Sequence, residues 1–124
     1  MSRGVEKQTM NDRHPSAGNL FERVQTGALQ EQITSLIARN GVRIERIVST
    51  GQASPPDFWY DQDEDEWVVL ISGQAMLTVE GLPEPLRLTP GSWVDLPARR
   101  RHRVEWTQAD PPTIWLAIFS PASS

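Results

Sequence analysis

Cysteine is absent from the sequence. Its absence excludes disulfide bonds, thiolate nucleophiles and metal sites built on thiolates, and it favours a reducing, cytoplasmic compartment. Long apolar runs are also missing, because residues 67–71 and 114–119 are the longest and a membrane-spanning helix needs about 20 residues. Residues 1–18 lack the apolar segment of a secretory signal. We therefore expect a cytoplasmic protein with no membrane partner.

Positive charge is in the minority. The chain has 12 lysines and arginines against 16 aspartates and glutamates, which gives a formal net charge of −4. Nucleic-acid-binding domains usually carry a basic surface that neutralises phosphates. The composition therefore predicts no nucleic-acid partner, and a small molecule is the expected ligand.

The length of 124 residues suits one domain with one core. Residues 1–18 are polar and contain few apolar side chains, so they cannot bury enough surface to offset the entropy of ordering. We predict a flexible N-terminal tail over residues 1–18, one domain over residues 19–120 and a short C-terminal tail over residues 121–124.

Most of the chain shows strand patterns. Apolar residues at positions 29, 33, 36 and 37, followed by Asn40-Gly41, predict one short N-terminal helix. After it, short β-branched or alternating segments are separated by glycine and proline turns, with no room for helices between them. The predicted strands cover residues 42–49, 58–60, 67–72, 75–80, 86–88, 93–97, 102–106 and 113–119. This pattern is typical of an all-β sandwich or barrel.

Two short motifs resemble those of the cupin superfamily, which is also described as RmlC-like. Glu66 is followed by six residues and Gly73, which matches the end of the first cupin motif. Gly91, five residues, Pro97 and then His102 match the second. The segment WYDQDEDEW is similar to one cupin subgroup. The resemblance covers about residues 42–119 and implies a double-stranded β-helix, or jelly-roll barrel.

The sequence departs from the cupin pattern at several metal-binding positions. The two histidines of the first motif would fall on Tyr60 and Gln62, or on Trp59 and Asp61, depending on the spacing. In the second motif, Arg99 replaces a glycine and Trp106 replaces an asparagine. The resemblance therefore implies the fold more fully than it implies the metal site.

A divalent metal is one interpretation of the remaining residues. The candidate ligands are Glu66, His102 and either Asp61 or Gln62, a donor set that suits Fe, Mn, Ni or Zn. The competing interpretation is that residues 61–66, with five acids in six positions, form a solvated loop. Glu66 differs from its neighbours because it directly precedes an apolar strand and would need a partner there.

A metal-free site is the other interpretation. His102 shares strand parity with Val104 and would act as general base, with Glu66 or Asp61 orienting it and Tyr60 as the acid. Arg99 and Arg101 could bind an anion at the barrel mouth, protect a strand edge or pair with the acidic run. Trp59 and Trp106 are candidates to line the cavity, and Trp67 and Trp93 are predicted to lie in the core.

The resemblance implies a cupin that binds a small polar or anionic metabolite. Three forms stay open: a divalent-metal-dependent enzyme, a non-catalytic binding or sensing protein with an eroded metal site, and a metal-free isomerase or epimerase. The last strand has apolar residues of both parities, so its outer face needs cover. A homodimer would provide that cover, as in many cupins.

Overall fold

A computed structural model describes residues 14–123 of the chain. Eight strands make up its regular structure: β1 (Gln32–Arg39), β2 (Val42–Ser49), β3 (Glu64–Ser72), β4 (Ala75–Val79), β5 (Leu86–Leu88), β6 (Trp93–Leu96), β7 (His102–Thr107) and β8 (Thr113–Pro121). The described residues contain no helix, and so none that is long and apolar enough to cross a membrane. The predicted all-β fold is confirmed.

The strands form two sheets that face each other. The larger sheet has the order β1-β2-β8-β3-β6, and the smaller has the order β5-β4-β7. Every pairing is antiparallel. Because successive side chains of a strand point to opposite faces, each long strand of the large sheet presents one set of residues inward and the other outward. The inward set of β3 includes Glu66, which lies opposite Phe119 on one side and Leu96 on the other.

The core lies between the two sheets. It consists of buried apolar side chains from both of them: Val68, Leu70, Ala75, Leu77, Val79, Leu88, Leu96, Trp115, Ala117 and Phe119. They come from strands that are distant in sequence, so the two cupin-like motifs are held on facing walls. Glu66 and His102 are the two ionisable residues of those motifs that are buried with the core.

The predicted N-terminal helix is wrong. Three of its four apolar residues, Ile33, Leu36 and Ile37, lie instead in β1, which pairs with β2 from Gln32 opposite Val48 to Arg39 opposite Val42. The two residues between the strands, Asn40 and Gly41, both have positive φ, at 54° and 78°. Positive φ at both positions is the geometry of a type I′ hairpin turn, for which Asn-Gly is the preferred sequence. The dipeptide is therefore a hairpin turn rather than a helix end.

Three smaller predictions also need correction. Residues 58–60 do not form a strand; only Tyr60 makes a β-bridge, to His102. Neither Trp67 nor Trp93 lies in the core: Trp93 is 61% exposed and Trp67 is half-buried, and their rings stack with centroids 6.0 Å apart. β8 extends to Pro121, two residues beyond the predicted end of the last strand. The predicted flexible tail falls mainly on residues 1–13, which lie outside the described part.

Gly73 has a steric role at the turn between β3 and β4. Its φ is +78°, a conformation that favours glycine. A Cβ at this position would come within 2.6 Å of the Thr113 Cα. The motif glycine therefore allows the β3–β4 turn to pack directly against the start of β8.

Candidate functional site

A cavity of about 200 Å³ lies between the sheets at the level of Glu66 and His102. Most of its wall is apolar and is formed by Ile33, Ile47, Val68, Leu77, Leu96, Val104, Trp115 and Phe119. Its polar lining is formed by Glu31, Glu45, Tyr60, Gln62, Glu66 and His102. A concave, mainly apolar space with a few converging polar groups is typical of a small-molecule site.

Glu66 and His102 approach each other across this cavity. Glu66 lies on β3 of the large sheet and is 8% exposed, and His102 begins β7 of the small sheet and is 5% exposed. The Glu66 Oε1 and the His102 Nε2 are 3.7 Å apart. This distance is too long for a good hydrogen bond, but it places the carboxyl group and the imidazole beside the same space. Both groups can therefore contact one small ligand.

Gln62 orients the Glu66 carboxyl group. Its Nε2 donates a hydrogen bond to the Glu66 Oε1 at 2.9 Å. Gln62 lies just before β3, and its backbone carbonyl accepts a hydrogen bond from the Arg99 N–H at 2.7 Å. The backbone of Gln62 is thus held by the chain segment that precedes β7. The acidic run, which the sequence analysis treated as one group, supplies only Gln62 and Glu66 to the cavity.

Burial raises the pKa of Glu66 above its ordinary value of 4.5. The hydrogen bond from Gln62 and the nearby His102 act in the opposite direction, but they do not overcome the loss of hydration. The Glu66 carboxyl group therefore holds a proton to higher pH than an exposed glutamate does. A carboxyl group of this kind can serve as a proton donor closer to neutral pH.

His102 has a fixed ring orientation. Its Nδ1 lies 3.2 Å from the backbone carbonyl of Arg100, a contact that favours the tautomer with the proton on Nδ1. In that tautomer Nε2 is an acceptor that faces Glu66. The Tyr60 ring stacks on the imidazole with centroids 5.3 Å apart, and the backbones of the two residues are hydrogen-bonded to each other.

Tyr60 lines the edge of the cavity and is 38% exposed. Its partial burial, with the negative charges of Glu31 and Glu66, raises the pKa of its phenol above 10.0. The phenol therefore keeps its proton at neutral pH and can donate a hydrogen bond to a ligand. A raised pKa makes it a weaker acid than Glu66.

Two further carboxylates line the cavity and were missed by the sequence analysis. Glu31 accepts a hydrogen bond from the Ser49 hydroxyl, and Glu45 forms an ion pair with Arg43 at 2.9 Å. Glu45 lies in the predicted strand 42–49, but the sequence analysis did not predict which side of that strand points inward. Glu31 was hidden by the wrong helix prediction. Glu45 and Ile47 are two residues apart and therefore share one face of β2. That spacing is the signal that could have identified Glu45 as facing the cavity.

The cavity has more negative than positive groups. Arg43 contacts the lining residue Glu45, and its guanidinium is already held by Glu45 and by Glu64, the latter at 2.6 Å. The Arg43 guanidinium also lies 4.4 Å from the centroid of the Phe119 ring. Its donors are thus engaged by protein groups rather than directed at a ligand.

The predicted arginine clamp does not face the cavity. The Arg99 side chain is 67% exposed and forms an ion pair with Asp61 at 3.0 Å. The Arg101 guanidinium lies 5.1 Å from the centroid of the Trp59 ring, away from the cavity lining. Of the interpretations left open by the sequence, pairing with the acidic run describes Arg99 best.

Trp106 also lies outside the cavity lining and is 42% exposed. The β4–β7 pairing is irregular between Met76 and Leu77, so the alternation that relates Trp106 to Val104 is interrupted there. Val104 still lines the cavity. The predicted lining role of Trp59 is likewise not supported, because its contact is with Arg101.

Comparison with solved structures relates this chain to others of the same fold. A proposed mannose-6-phosphate isomerase from Ralstonia eutropha JMP134 is 50% identical, with a TM-score of 0.85 over 87% of this chain and 100% of that chain. The chain belongs to the cupin superfamily. The cupin resemblance predicted from the sequence is therefore confirmed, although no protein-family model and no curated protein matches the chain.

More distant cupins share the fold of this one. A cupin superfamily protein from Desulfitobacterium hafniense DCB-2 is 16% identical, with a TM-score of 0.65 over 79% of this chain and 84% of that one. An RmlC-like cupin with a double-stranded β-helix fold from Methanocaldococcus jannaschii is 20% identical, with a TM-score of 0.61 over 84% of this chain and 94% of that one. The predicted double-stranded β-helix is thus confirmed.

The donor set of this cupin does not fit the predicted metal site. Among residues 14–123, no three His, Cys, Asp or Glu side chains are grouped so that they could hold a metal ion. Glu66 and His102 supply two donors, whereas Asp61 is turned toward Arg99. Gln62 directs its NH₂ group toward Glu66. A mononuclear site with three protein ligands would need a further donor.

Proposed function

We propose that this cupin binds a small, uncharged, polyhydroxylated molecule such as a sugar and transfers protons on it, without a metal. The observation that carries this proposal is the buried pair of Glu66 and His102, 3.7 Å apart across the cavity. One member has a raised pKa and the other has a free imidazole nitrogen directed toward it. A proton donor and a proton acceptor that can both reach one ligand are what general acid–base catalysis requires.

Proton transfer between neighbouring carbons of an open-chain sugar fits this arrangement. His102 Nε2 would remove the proton from the carbon beside the carbonyl group, while the Glu66 carboxyl group protonates the carbonyl oxygen. The resulting enediol returns one hydroxyl proton and accepts a proton at the other carbon, so an aldose and a ketose interconvert with no change in composition. The Tyr60 phenol would hydrogen-bond a hydroxyl group at the cavity edge. Of the three functions left open by the sequence, this reaction corresponds to the metal-free isomerase.

The charges around the cavity favour a neutral ligand over the anionic metabolite considered earlier. Three glutamates line it, and Arg43 is already paired with two carboxylates. A phosphate in this space would meet like charges at a low effective dielectric constant, which is unfavourable. The name of the Ralstonia relative therefore supports a sugar as the ligand class, whereas its phosphate would find no arginine or lysine among the described residues that line the cavity.

Deuterium incorporation tests the proposal directly. Protein treated with EDTA would be incubated in D₂O with mannose, fructose and other small aldoses and ketoses, each also as its phosphate ester. Nuclear magnetic resonance would then measure exchange at the carbon beside the carbonyl group. We expect exchange with at least one unphosphorylated sugar, and a loss of about 10²-fold or more in His102→Gln and Glu66→Gln. Glu80→Gln, at an exposed position, is the matched control and should exchange normally.

Other results would favour the alternatives. Exchange that appears only after addition of Fe, Mn, Ni or Zn would show the metal-dependent enzyme. Saturable sugar binding without exchange would show a non-catalytic binding or sensing cupin, an alternative favoured by the missing third metal donor. If no sugar binds and no sugar undergoes exchange, the proposed ligand class is contradicted.

A further inference from the structure

Arg46 is a buried arginine on the opposite face of the large sheet from the candidate site. It lies in β2, and the residue is only 4% exposed. In the β2–β8 pairing Arg46 is opposite Leu116. Its neighbours in β2, Glu45 and Ile47, are opposite Ala117 and Trp115. Because side chains alternate along a strand, Arg46 points away from the cavity that Glu45 and Ile47 line.

The positive charge of Arg46 has no carboxylate partner among residues 14–123. Its guanidinium donates to the backbone carbonyls of Leu20 at 3.2 Å, Glu22 at 2.5 Å and Arg23 at 3.5 Å. Its Nε is buried and has no hydrogen-bond partner within that range. The Glu22 carboxylate instead accepts a hydrogen bond from the Asn19 N–H at 3.0 Å. Carbonyl dipoles satisfy some donors, but a buried charge normally requires a counter-charge.

A second cavity adjoins this guanidinium. Its volume is about 460 Å³, and it lies between the segment 16–23 and strands β1 and β2. Besides Arg46, its lining includes the charged residues Glu22 and Arg23 and the polar side chains of Ser16, Asn19, Gln32 and Thr34. We propose that this cavity binds a small oxyanion, either a carboxylate or a phosphate, through the Arg46 guanidinium.

The chemistry of the guanidinium supports an oxyanion as the ligand. Arginine presents planar, parallel N–H donors that match two oxygens of one carboxylate or phosphate group. An oxyanion in the cavity would supply the missing negative charge for the guanidinium. The Ser16 and Thr34 hydroxyls are suited to donate further hydrogen bonds to it. This site is separate from the sugar cavity, so each proposal can fail without the other.

Thr34 offers a test that does not remove the buried arginine. It lies directly opposite Arg46 in the β1–β2 pairing, so the two side chains are neighbours on the same face. In Thr34→Glu the new carboxylate can reach the guanidinium and take the place of the ligand. Thr34→Gln has nearly the same size and no charge, and it serves as the matched control.

The experiment is a titration of full-length protein with sodium phosphate and, separately, sodium citrate, at an ionic strength kept constant with chloride. Calorimetry and thermal unfolding would follow each titration. We expect saturable binding of at least one of these anions at one site, retained in Thr34→Gln and weakened about tenfold or more in Thr34→Glu. The comparison of phosphate with citrate identifies the ligand class.

Two results would overturn the proposal. Absence of saturable binding of both anions to the unsubstituted protein would show that the cavity is not an oxyanion site. Equal binding by Thr34→Glu and Thr34→Gln would show that the anion binds away from Arg46. If Thr34→Glu unfolds, Thr34→Ser with Arg46→Gln provides the second comparison, in which only loss of the arginine should abolish binding.

Discussion

Replacement of Glu66 by glutamine should stabilise the protein at neutral and alkaline pH. The Glu66 side chain is buried, and burial raises its pKa above 4.5. When the carboxyl group ionises in the folded state, it loses hydration that the unfolded chain would provide. Glutamine keeps the shape of the side chain and can accept the hydrogen bond from Gln62, but it carries no charge.

The sign of the effect follows from proton linkage. A carboxyl group whose pKa is raised by folding binds protons more strongly in the folded state, so stability falls as pH rises from 4.5 through the folded pKa. Below pH 4.5 the folded and unfolded carboxyl groups are both protonated, and the substitution should have little effect. Above the folded pKa the full penalty is present. Each pH unit by which the pKa is displaced corresponds to about 1.4 kcal/mol.

Thermal unfolding at pH 4, 6 and 8 measures this dependence. For a domain of this size, 1 kcal/mol corresponds to a change in Tm of about 4 °C, so a visible gain is expected at pH 8 and almost none at pH 4. Glu80→Gln, an exposed glutamate, should show no comparable gain. If Glu66→Gln instead lowers the Tm at pH 8, then Glu66 and His102 form a stabilising charged pair, and the argument from burial is refuted.

Three further substitutions test the packing and the assembly. Leu70→Ala should reduce the free energy of unfolding by about 2–5 kcal/mol in denaturant titrations, because Leu70 is 0% exposed in the core; a loss below 1 kcal/mol would contradict its position. Gly73→Ala should cost at least about 1–3 kcal/mol in the same assay, because of its positive φ and its closeness to Thr113; Gly91→Ala, which has a similar φ but open space around it, should cost less. Trp93→Arg should convert the proposed homodimer to a monomer in light scattering, because it places a charge on the exposed outer face of the large sheet; a dimer that persists would exclude this face.

The sequence predicted the two buried ionisable residues of the site better than the arginines around it. The spacing of Glu66 from Gly73 and of Pro97 from His102 carried the cupin resemblance, and that resemblance made the acid and the imidazole candidates for one site. The arginines were not predictable in the same way. Arg99 lies in a turn with a φ of 66°, where direction is set by the local backbone rather than by strand alternation. Its partner, Asp61, was indistinguishable by type from the other acids of the run.

The error over residues 32–39 has a physical cause. Apolar residues at positions 33, 36 and 37 fit a helical period, but β1 contains an irregularity between Ser35 and Ile37 that changes the side-chain alternation. A bulge of this kind makes a strand imitate a helical pattern over a few residues. The pairing with β2 and the Asn40-Gly41 turn then determine the structure. Local periodicity could not reveal this because the stabilising partner lies in the next strand.

The strand β2 links the two proposed sites. Glu45 and Arg46 are consecutive, so alternation places a carboxylate beside the inner cavity and a guanidinium beside the outer one. One sheet thus separates an acidic cavity, which favours an uncharged or cationic ligand, from a cationic cavity, which favours an anion. Glu45 has Arg43 as its partner, whereas Arg46 has no ionic partner in the described chain. The charge of Glu45 beside the inner cavity is therefore neutralised by Arg43 before a ligand binds. The charge of Arg46 beside the outer cavity would be neutralised only when an anion binds.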